Sequence, residues 1–357
     1  MRVISVVGNR PQFIKAAPLC RALRQRCDEI LVHTGQHYDP ALADLIFDEL
    51  DIPAPDHALG VGAGSPLAQL AAMLGGLETV ITAEAPDVVL VYGDTTTTLA
   101  GALAAAKLGV PLAHVEAGLR SFDRSMPEEQ NRVATDHLSG LLLCPTQVAV
   151  DNLAAEGVHD GVHLVGDVMF DAALMFGDAA RATNARARLG LEAGDYRLVT
   201  VHRAAATDTL DALEALVAVL EVIPGPAVFP VHPRTRHKLE EAGLWGRATA
   251  IEDVRLIPPV GYLEFTSLLM DAAAVVTDSG GVQKEAYFHR VPCVTVRDTT
   301  EWTETVANGY NTLTGMNPDR VAAALGAARM PDRDVDLYGD GSAAERISDL
   351  VEAFATR

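Results

Sequence analysis

Short apolar runs rich in β-branched residues alternate along this chain with longer stretches rich in alanine and leucine. Runs that are apolar throughout predict parallel strands buried on both faces, and the stretches between them predict crossover helices. The predicted strands are residues 2–7, 29–34, 87–93, 111–117, 140–146, 161–166, 197–203, 227–232, 254–260, 274–279 and 292–298. The pattern indicates an α/β protein built from two Rossmann-like domains, each a doubly wound parallel sheet.

The alternation pauses between residues 167 and 195, where a helical stretch and a polar segment follow one another. We therefore expect an N-terminal domain over residues 1–168 and a C-terminal domain over 169–341, with a final helix at 342–357 returning to the first domain. In doubly wound sheets, ligands bind beyond the carboxyl ends of the strands. Two such domains facing a cleft would place the functional residues there.

Composition narrows the classes of partner. The chain has 357 residues and a formal net charge of −20, which argues against nucleic acid and anionic membrane surfaces as partners. Its four cysteines show neither a CxxC pair nor Cys/His ligand spacing, so neither a disulfide framework nor a zinc site is indicated. No apolar run reaches the roughly 18 to 20 residues needed to span a bilayer, so we expect a cytoplasmic protein.

The first strand is followed by "GNRPQFIK". Gly8 would permit a tight turn, and Arg10 and Lys15 lie where a helix N-terminus already favours an anion. The segment is neither GxGxxG nor a Walker loop, so it supports neither a dinucleotide site nor an ATPase site. A phosphate site is one interpretation, and a capped helix with solvated charges is the other.

Acidic residues follow the next strands of the first half. Asp94 lies in "YGDTTTTLAG", where it could serve merely as a helix cap. Glu116 ends the following strand, and Glu128 and Glu129 open the helix after it. Carboxylates clustered at adjacent strand ends tend to have one raised pKa and so favour acid–base chemistry.

The second half offers basic residues and a glycine turn. His202 and Arg203 end one strand, and His232 and Arg234 follow the next, although a single histidine at a strand end is more often structural. The segment "TDSGGVQKEA" predicts a strand, a turn at residues 279–281 and a helix whose first N–H groups could receive a diphosphate. Glu285, one turn into that helix, could accept hydrogen bonds from ribose hydroxyls.

Taken together, these motifs with "GQHYD", "HPRT", "PPVGYLEF", "RDTTEW" and "YGDG" resemble the non-hydrolysing UDP-N-acetylglucosamine 2-epimerases, in order, from about residue 1 to 350. The resemblance implies a glycosyltransferase-B-like fold, an active site in the interdomain cleft and usually a homodimer. It also implies a UDP-HexNAc substrate and no redox cofactor or metal. UDP would leave to give a 2-acetamidoglucal and would add again after a proton returns to the opposite face of C2.

Residue roles follow from the resemblance position by position. It implies acid–base roles for Asp94, Glu116 and Glu128, and assistance to diphosphate departure for His202. The residues implied to bind the substrate are Arg10 and Lys15 at the phosphate and sugar, Val260 and Phe265 at the uracil, Ser279, Gly280 and Gly281 at the diphosphate, Glu285 at the ribose, and His232 and Arg234 in the cleft.

Three positions depart from the family pattern. Ala205 and Ala206 stand where members commonly have Glu-Asn, so polar support after His202 is missing. Trp302 stands where members often have an arginine near the phosphates. Tyr38 replaces an arginine that is found in members activated by their own substrate at a second site. The last two departures resemble the branch that includes UDP-2,3-diacetamidoglucuronate 2-epimerases and archaeal relatives.

These observations leave a leading hypothesis and several alternatives. The leading one is a 2-epimerase that interconverts UDP-GlcNAc and UDP-ManNAc. The alternatives are a 2-epimerase of a modified UDP-HexNAc, a hydrolysing variant that releases UDP, a nucleotide-sugar-binding paralogue without turnover, and a glycosyltransferase of the same fold.

Overall fold

The computed structural model describes residues 1–36, 46–332 and 335–356. The chain divides into two compact units, one made of Met1–Met175 with Asp336–Arg357 and the other of Phe176–Val335. Each unit is built on one parallel sheet flanked by helices, which confirms the predicted fold class of two Rossmann-like domains.

The first unit contains a seven-stranded sheet in the order β3-β2-β1-β4-β5-β6-β7. Its strands are β1 (Arg2–Val7), β2 (Asp28–His33), β3 (His57–Ala58), β4 (Val88–Tyr92), β5 (Leu112–Val115), β6 (Leu141–Cys144) and β7 (Val162–Leu164). Its helices are α1 (Arg10–Leu23), α2 (Pro66–Glu84), α3 (Thr96–Leu108), α4 (Pro127–Leu138), α5 (Gln147–Ala155) and the C-terminal α16 (Ala343–Ala355), and residues 46–49 are also helical. Helix α6 (Val168–Ala182) contains the boundary between the units.

The second unit contains a six-stranded sheet in the order β10-β9-β8-β11-β12-β13. Its strands are β8 (Arg197–Thr200), β9 (Ala227–Pro230), β10 (Val254–Ile257), β11 (Ala274–Thr277), β12 (Cys293–Thr295) and β13 (Asn311–Leu313). Its helices are α7 (Ala185–Arg188), α8 (Ala204–Thr207), α9 (Leu210–Glu221), α10 (Pro233–Glu241), α11 (Trp245–Thr249), α12 (Tyr262–Met270), α13 (Gly280–Phe288), α14 (Thr303–Ala307) and α15 (Pro318–Ala327).

Every strand predicted from the sequence is present, and the sequence missed β3 and β13. Both lie at the edges of their sheets, where a strand has one neighbour and one free side. Their sequences, "HA" and "NTL", are too short and too polar to form an apolar run. Hydrophobic patterning detects apolar runs, so strands as short and polar as these two escape it, whereas β7, also at an edge, lies in an apolar run and was predicted.

The C-terminal helix α16 belongs to the first unit and is held there by polar contacts. Asp171 accepts hydrogen bonds from the backbone N–H groups of Ala343 (3.2 Å) and Ala344 (2.7 Å) at the start of the helix. Arg346 donates to the carbonyl of Val165 at 3.1 Å. Further along, Phe354 packs against Gly140.

Helix α2 corrects the expectation that no apolar run approaches the length of a membrane span. It has 19 residues and a mean hydropathy of 1.2, which is enough to cross a bilayer by length and composition only. One such helix is weak evidence for a membrane. Its inner face, with Met73, Leu77, Val80 and Ile81, packs into the core of the first sheet, as in an ordinary helix of an α/β domain.

Candidate active site

Gly8, directly after β1, lies in very close contact with two threonines. A Cβ atom at this position would overlap the hydroxyls of Thr34 and Thr97. Gly8 is not among the residues with positive φ. The sequence therefore predicted the wrong reason for glycine here, because close packing, not a tight turn, requires it.

Gln12 links the ends of two neighbouring strands, and the sequence analysis missed it. Its side-chain oxygen accepts a hydrogen bond from Gly8 N at 2.8 Å, and its Nε2 donates to the carbonyl of Tyr92 at 2.9 Å. The side chain is buried, so it holds the turns after β1 and β4 in a fixed relation. Arg10 opens the same helix and is exposed.

A buried ion pair joins two of the predicted site residues. Lys15 Nζ on α1 contacts the carboxylate of Glu116, which follows β5, and both side chains are almost fully buried. Glu116 has φ of 70°, a left-handed backbone that costs a residue with a Cβ energy. A Cβ at Gly93 would lie 3.1 Å from Lys15 Nζ and 3.2 Å from Glu116 Oε2, and Gly93 has φ of 62°, so a residue with a Cβ would be strained beside the pair.

Asp94 is not a helix cap. Thr95 is the N-cap of α3 and forms a reciprocal capping box with Thr98, so Asp94 lies next to the cap and is not the N-cap itself. The carboxylate of Asp94 instead pairs with the guanidinium of Arg132 on α4. Its backbone carbonyl accepts a hydrogen bond from Asn131 Nδ2 at 2.9 Å.

Arg132 also holds a second carboxylate, Glu129, at 2.6 Å. Glu129 accepts hydrogen bonds from the backbone N–H groups of Ser121 and Phe122, both at 2.9 Å. Burial opposes its ionisation, but these bonds and the charge of Arg132 together lower the pKa of Glu129. Glu128 is the neighbouring residue in the first turn of α4 and is half-buried.

A buried polar network supports the carboxyl ends of β4 and β5. His114 on β5 places Nδ1 2.7 Å from Asp136 Oδ1 and Nε2 2.7 Å from the carbonyl of Gly93. Arg120 donates to Asp136 Oδ2 at 2.7 Å. Although burial opposes ionisation, the hydrogen bond from His114 and the charges of His114 and Arg120 lower the pKa of Asp136. The network fixes Gly93, next to Asp94, from the buried side.

In the second unit, Asp278 at the end of β11 binds the turn that carries His202. Its Oδ2 accepts hydrogen bonds from the backbone N–H groups of His202 (2.9 Å) and Arg203 (2.7 Å). Its Oδ1 lies 3.4 Å from Nδ1 of His202. The sequence analysis placed Asp278 within the predicted strand at residues 274–279 and gave it no role.

His202 and His232 are neighbours, with ring centroids 5.7 Å apart. Nδ1 of His232 accepts a hydrogen bond from the backbone N–H of Arg234 at 3.2 Å and so caps helix α10. Arg234 itself pairs with Asp208. The two predicted histidines are therefore brought together, while the guanidinium of Arg234 is held by a separate carboxylate.

The predicted diphosphate turn precedes helix α13. Ser279 is the N-cap, but its side chain makes no capping hydrogen bond, whereas the equivalent residues of α1, α3 and α5 do cap their helices. A Cβ at Gly280 would lie 2.7 Å from Glu301 Oε1 and 3.2 Å from Trp302 Nε1, so this glycine is required by close packing. Glu285 is buried one turn further on.

A cluster of charges lies against Gly280. Glu301 is paired with Arg297 at 2.9 Å and with Arg203 at 3.7 Å. Burial opposes ionisation of Glu301, but the charges of the two arginines lower its pKa. Lys284 Nζ lies 4.1 Å from the ring centroid of Trp302, as in a cation–π contact.

The remaining predicted positions have varied surroundings. Phe265 on α12 is buried in an apolar cluster, and Val260 packs against the same cluster from the preceding loop. Ala205 is exposed on the short helix α8, whereas Ala206 is buried in the core of the second sheet. Tyr38 lies outside the described residues. Among the residues that the structure describes, no group of three or more His, Cys, Asp or Glu residues could hold a metal ion.

Comparison with known proteins identifies the family. Residues 21–352 match the family described as UDP-N-acetylglucosamine 2-epimerase. The chain is 45% identical over 354 residues to a UDP-N-acetylglucosamine 2-epimerase homolog of Methanococcus maripaludis, covering 98% of this chain and 99% of the relative. It is 47% identical over 362 residues to the UDP-2,3-diacetamido-2,3-dideoxy-D-glucuronate 2-epimerase of Pseudomonas aeruginosa, with the same coverage.

A solved structure agrees with this assignment. The chain resembles the UDP-GlcNAc 2-epimerase of Methanocaldococcus jannaschii, crystallised with UDP-GlcNAc and UDP, with a TM-score of 0.92 and 40% identity. The match covers 99% of this chain and 100% of that one. The sheet order, the strand-end residues and the full-length matches lead to one conclusion: this chain belongs to the UDP-N-acetylglucosamine 2-epimerase family of isomerases.

Proposed function

We propose that the protein interconverts UDP-GlcNAc and UDP-ManNAc by eliminating UDP and adding it again. The observation that carries the proposal is the group of carboxylates at the ends of β4 and β5. Glu116 is paired with buried Lys15, and Asp94 is paired with Arg132. Inverting C2 requires one group to remove a proton from one face and another to return it to the opposite face, and carboxylates are suited to both tasks.

In the elimination, the base takes the proton from C2 and the C2–H electrons form the C1–C2 double bond. The C1–O bond breaks, and its electrons leave with the diphosphate oxygen. Addition reverses these events after a proton has reached the other face of C2. The overall reaction is redox-neutral, so no oxidant or reductant is consumed. Asp94, Glu116 and Glu128 are the proposed acid–base groups, and Lys15 is the buried cation paired with Glu116.

The second unit is proposed to bind UDP. Ser279, Gly280 and Gly281 would cradle the diphosphate at a helix start that lacks a side-chain cap. The two glycines would present backbone N–H groups, since the N–H of Ser279 already donates to Thr277 Oγ1 at 2.9 Å. His202 would assist departure of the diphosphate, and Glu285 would bind the ribose. Val260 would contact the uracil through its backbone and Phe265 through its ring, while Arg10, His232 and Arg234 are proposed as further substrate contacts.

Epimerisation in D2O tests this proposal. Purified protein is incubated with UDP-GlcNAc, and the products are examined by NMR and mass spectrometry, with Asp94→Asn as the inactive control. We expect UDP-ManNAc with deuterium at C2. Retention of unlabelled C2–H in the product would exclude the mechanism. UDP that accumulates as the sugar is lost would indicate hydrolysis, and calorimetric binding without product would indicate a binding protein.

A modified sugar is the second candidate substrate. Trp302 lies against Gly280 of the proposed diphosphate turn, where the family pattern often has an arginine, and a relative named for the diacetamidoglucuronate sugar is 47% identical. The same D2O assay with UDP-2,3-diacetamidoglucuronate in competition with UDP-GlcNAc decides between them. The substrate with the larger kcat/KM is the one that the enzyme prefers in competition.

We also propose that the protein is a cytoplasmic homodimer that associates through helix α2. The outer face of this helix carries mostly uncharged exposed residues, including Leu67, Ala71, Ala72 and Gly75, with Glu78 as its one exposed charged residue. Chains with a net charge of −20 repel one another, so a face with a single charged residue is a favourable place for two copies to meet. Light scattering should show a dimer that Ala71→Glu converts to a monomer, while the exposed control Ala353→Glu stays dimeric. A wild-type monomer would contradict the proposal.

A further inference from the structure

Asp278 has a buried carboxylate whose two oxygens have different surroundings. Only 1% of the residue is exposed. Oδ2 accepts two backbone hydrogen bonds, from His202 N and Arg203 N. Oδ1 is fully buried and accepts no hydrogen bond from the residues that the structure describes. A buried carboxylate oxygen without a donor is costly, so a donor is expected to come to it.

The group next to Oδ1 is the imidazole of His202, whose Nδ1 lies 3.4 Å away. A small rotation of the ring would bring Nδ1 to ordinary hydrogen-bond distance. If Nδ1 carried no proton, its lone pair would face a carboxylate oxygen, which is repulsive. The geometry therefore favours a proton on Nδ1.

We propose that Asp278 is a positioning residue for His202. It holds the imidazole with Nδ1–H towards itself, leaves Nε2 directed away from the carboxylate, and balances the positive charge when both nitrogens are protonated. This inference rests on the proposed function for its catalytic consequence, because Nε2–H would then be given to the departing diphosphate. The inference also explains how His202 can be supported although residues 205 and 206 are alanines. The support comes from Asp278, which lies 76 positions further along the chain.

Other titratable groups beside this pair do not replace Asp278. His232 is the neighbouring ring, and its Nδ1 already accepts the N–H of Arg234, so its proton lies on Nε2. The side chain of Arg203 pairs with Glu301. These groups border His202, but Asp278 is the carboxylate that the structure places against its Nδ1.

Asp278→Asn tests the proposal directly, because the backbone N–H groups of His202 and Arg203 determine the orientation of the new side-chain amide. The two N–H groups that point at Oδ2 require an oxygen there, so the amide NH2 takes the place of Oδ1 and faces Nδ1. Nδ1 must then accept, and the neutral imidazole carries its proton on Nε2. The backbone hydrogen bonds survive, so folding is preserved while the tautomer changes. In a serine protease, the corresponding change of aspartate to asparagine produces the wrong tautomer and a large loss of kcat.

The first measurement is the tautomer. Protein labelled with 15N-histidine is examined by NMR above neutral pH, and the His202 signals are assigned among the 11 histidines by their absence in His202→Gln. We expect the proton on Nδ1 in the wild type and on Nε2 in Asp278→Asn. A wild-type proton on Nε2, or an unchanged tautomer in the variant, would overturn the inference. The wild-type spectrum decides the matter even if the variant does not fold.

The second measurement is the rate. We expect kcat of Asp278→Asn to fall by about a hundredfold or more, with KM for UDP-GlcNAc within threefold of the wild-type value. The control Asp271→Asn removes a charge from Asp271, whose carboxylate pairs with Arg186 on the same unit, and should leave both constants unchanged. An unchanged kcat in Asp278→Asn would refute the positioning role. If the wild type has no epimerase activity, the proposed function fails while the tautomer still tests the inference.

Discussion

The strand ends of the two units are built in opposite ways. In the first unit, the polar groups satisfy one another: Glu116 is paired with Lys15, Asp94 with Arg132, and His114 with Asp136. In the second unit, the helix after Ser279 starts without a side-chain cap, and one oxygen of Asp278 accepts no hydrogen bond from the described residues. We propose that the first arrangement exchanges protons, whereas in the second the start of α13 binds an anion and Asp278 Oδ1 accepts a hydrogen bond from His202.

The largest expected effect is on the acid–base carboxylates. Glu116→Gln keeps the size of the side chain but removes its ability to take a proton, so kcat should fall by about 10²- to 10⁴-fold. UDP affinity, measured by calorimetry, should change little because the change lies in the other unit. Glu345→Gln, on the exposed face of α16, is the matched control. An unchanged kcat in Glu116→Gln would show that Glu116 has no acid–base role.

The next effect is on stability. Asp136→Asn breaks the buried contacts with His114 and Arg120, and we expect the free energy of unfolding to fall by about 3 kcal/mol at pH 7. Because the folded protein lowers the pKa of Asp136, its stabilising effect is present above the unfolded pKa of about 3.9 and is lost as the pH falls through the lower folded value. Urea unfolding should therefore separate the variant from the wild type at pH 7 and less so at pH 3.

Asp160→Asn, at an exposed position in the same unit, controls for the loss of a negative charge. A difference between Asp136→Asn and the wild type that stayed constant down to pH 3 would mean that ionisation of Asp136 does not stabilise the fold.

A smaller effect is expected at the proposed ribose contact. Glu285→Ala should weaken UDP binding by about tenfold, since hydrogen bonds to a charged group contribute roughly 1.5 kcal/mol. Isothermal titration calorimetry measures the affinity, and circular dichroism verifies that the buried helix is intact. Glu240→Ala, on the exposed side of α10, should bind UDP normally. Equal affinities for the two variants would remove Glu285 from the site.

The smallest effect is expected where the family pattern is broken. Ala205 is exposed, so Ala205→Glu should change kcat less than twofold and the free energy of unfolding by less than about 0.5 kcal/mol. Ala204→Glu is the neighbouring exposed control. A tenfold rise in kcat for Ala205→Glu alone would show that polar support at this position is a real deficiency.

Much of the fold follows from local sequence, but the pairing of side chains does not. The strands buried on both faces could be located from their apolar runs, and the glycine turn at residues 279–281 could be located from its motif. The partner of Glu116 lies 101 positions away and that of Asp94 lies 38 positions away. Hydrophobic periodicity carries no information on such contacts, which is why Lys15 was predicted as a phosphate ligand without its carboxylate partner.

Close contacts between a glycine and its neighbours could likewise not be predicted from the sequence. The sequence shows that residue 8 is glycine, but only the structure shows the two threonine hydroxyls that exclude a Cβ there. The role of Asp94 was ambiguous for a related reason. An aspartate before four threonines is typical of a helix N-cap, and only the structure shows that Thr95 is the N-cap.

The left-handed backbone at Glu116 has a consequence for engineering. Such a conformation costs about 1–3 kcal/mol for a residue other than glycine. A thermostability selection that ignores turnover would therefore favour glycine at position 116, accompanied by truncation of Lys15 so that no unpaired cation is buried. Variant libraries selected for thermal stability alone would become enriched in stable proteins that lack an acid–base group at this strand end. The frequency of such variants would measure how much stability the enzyme loses by keeping Glu116.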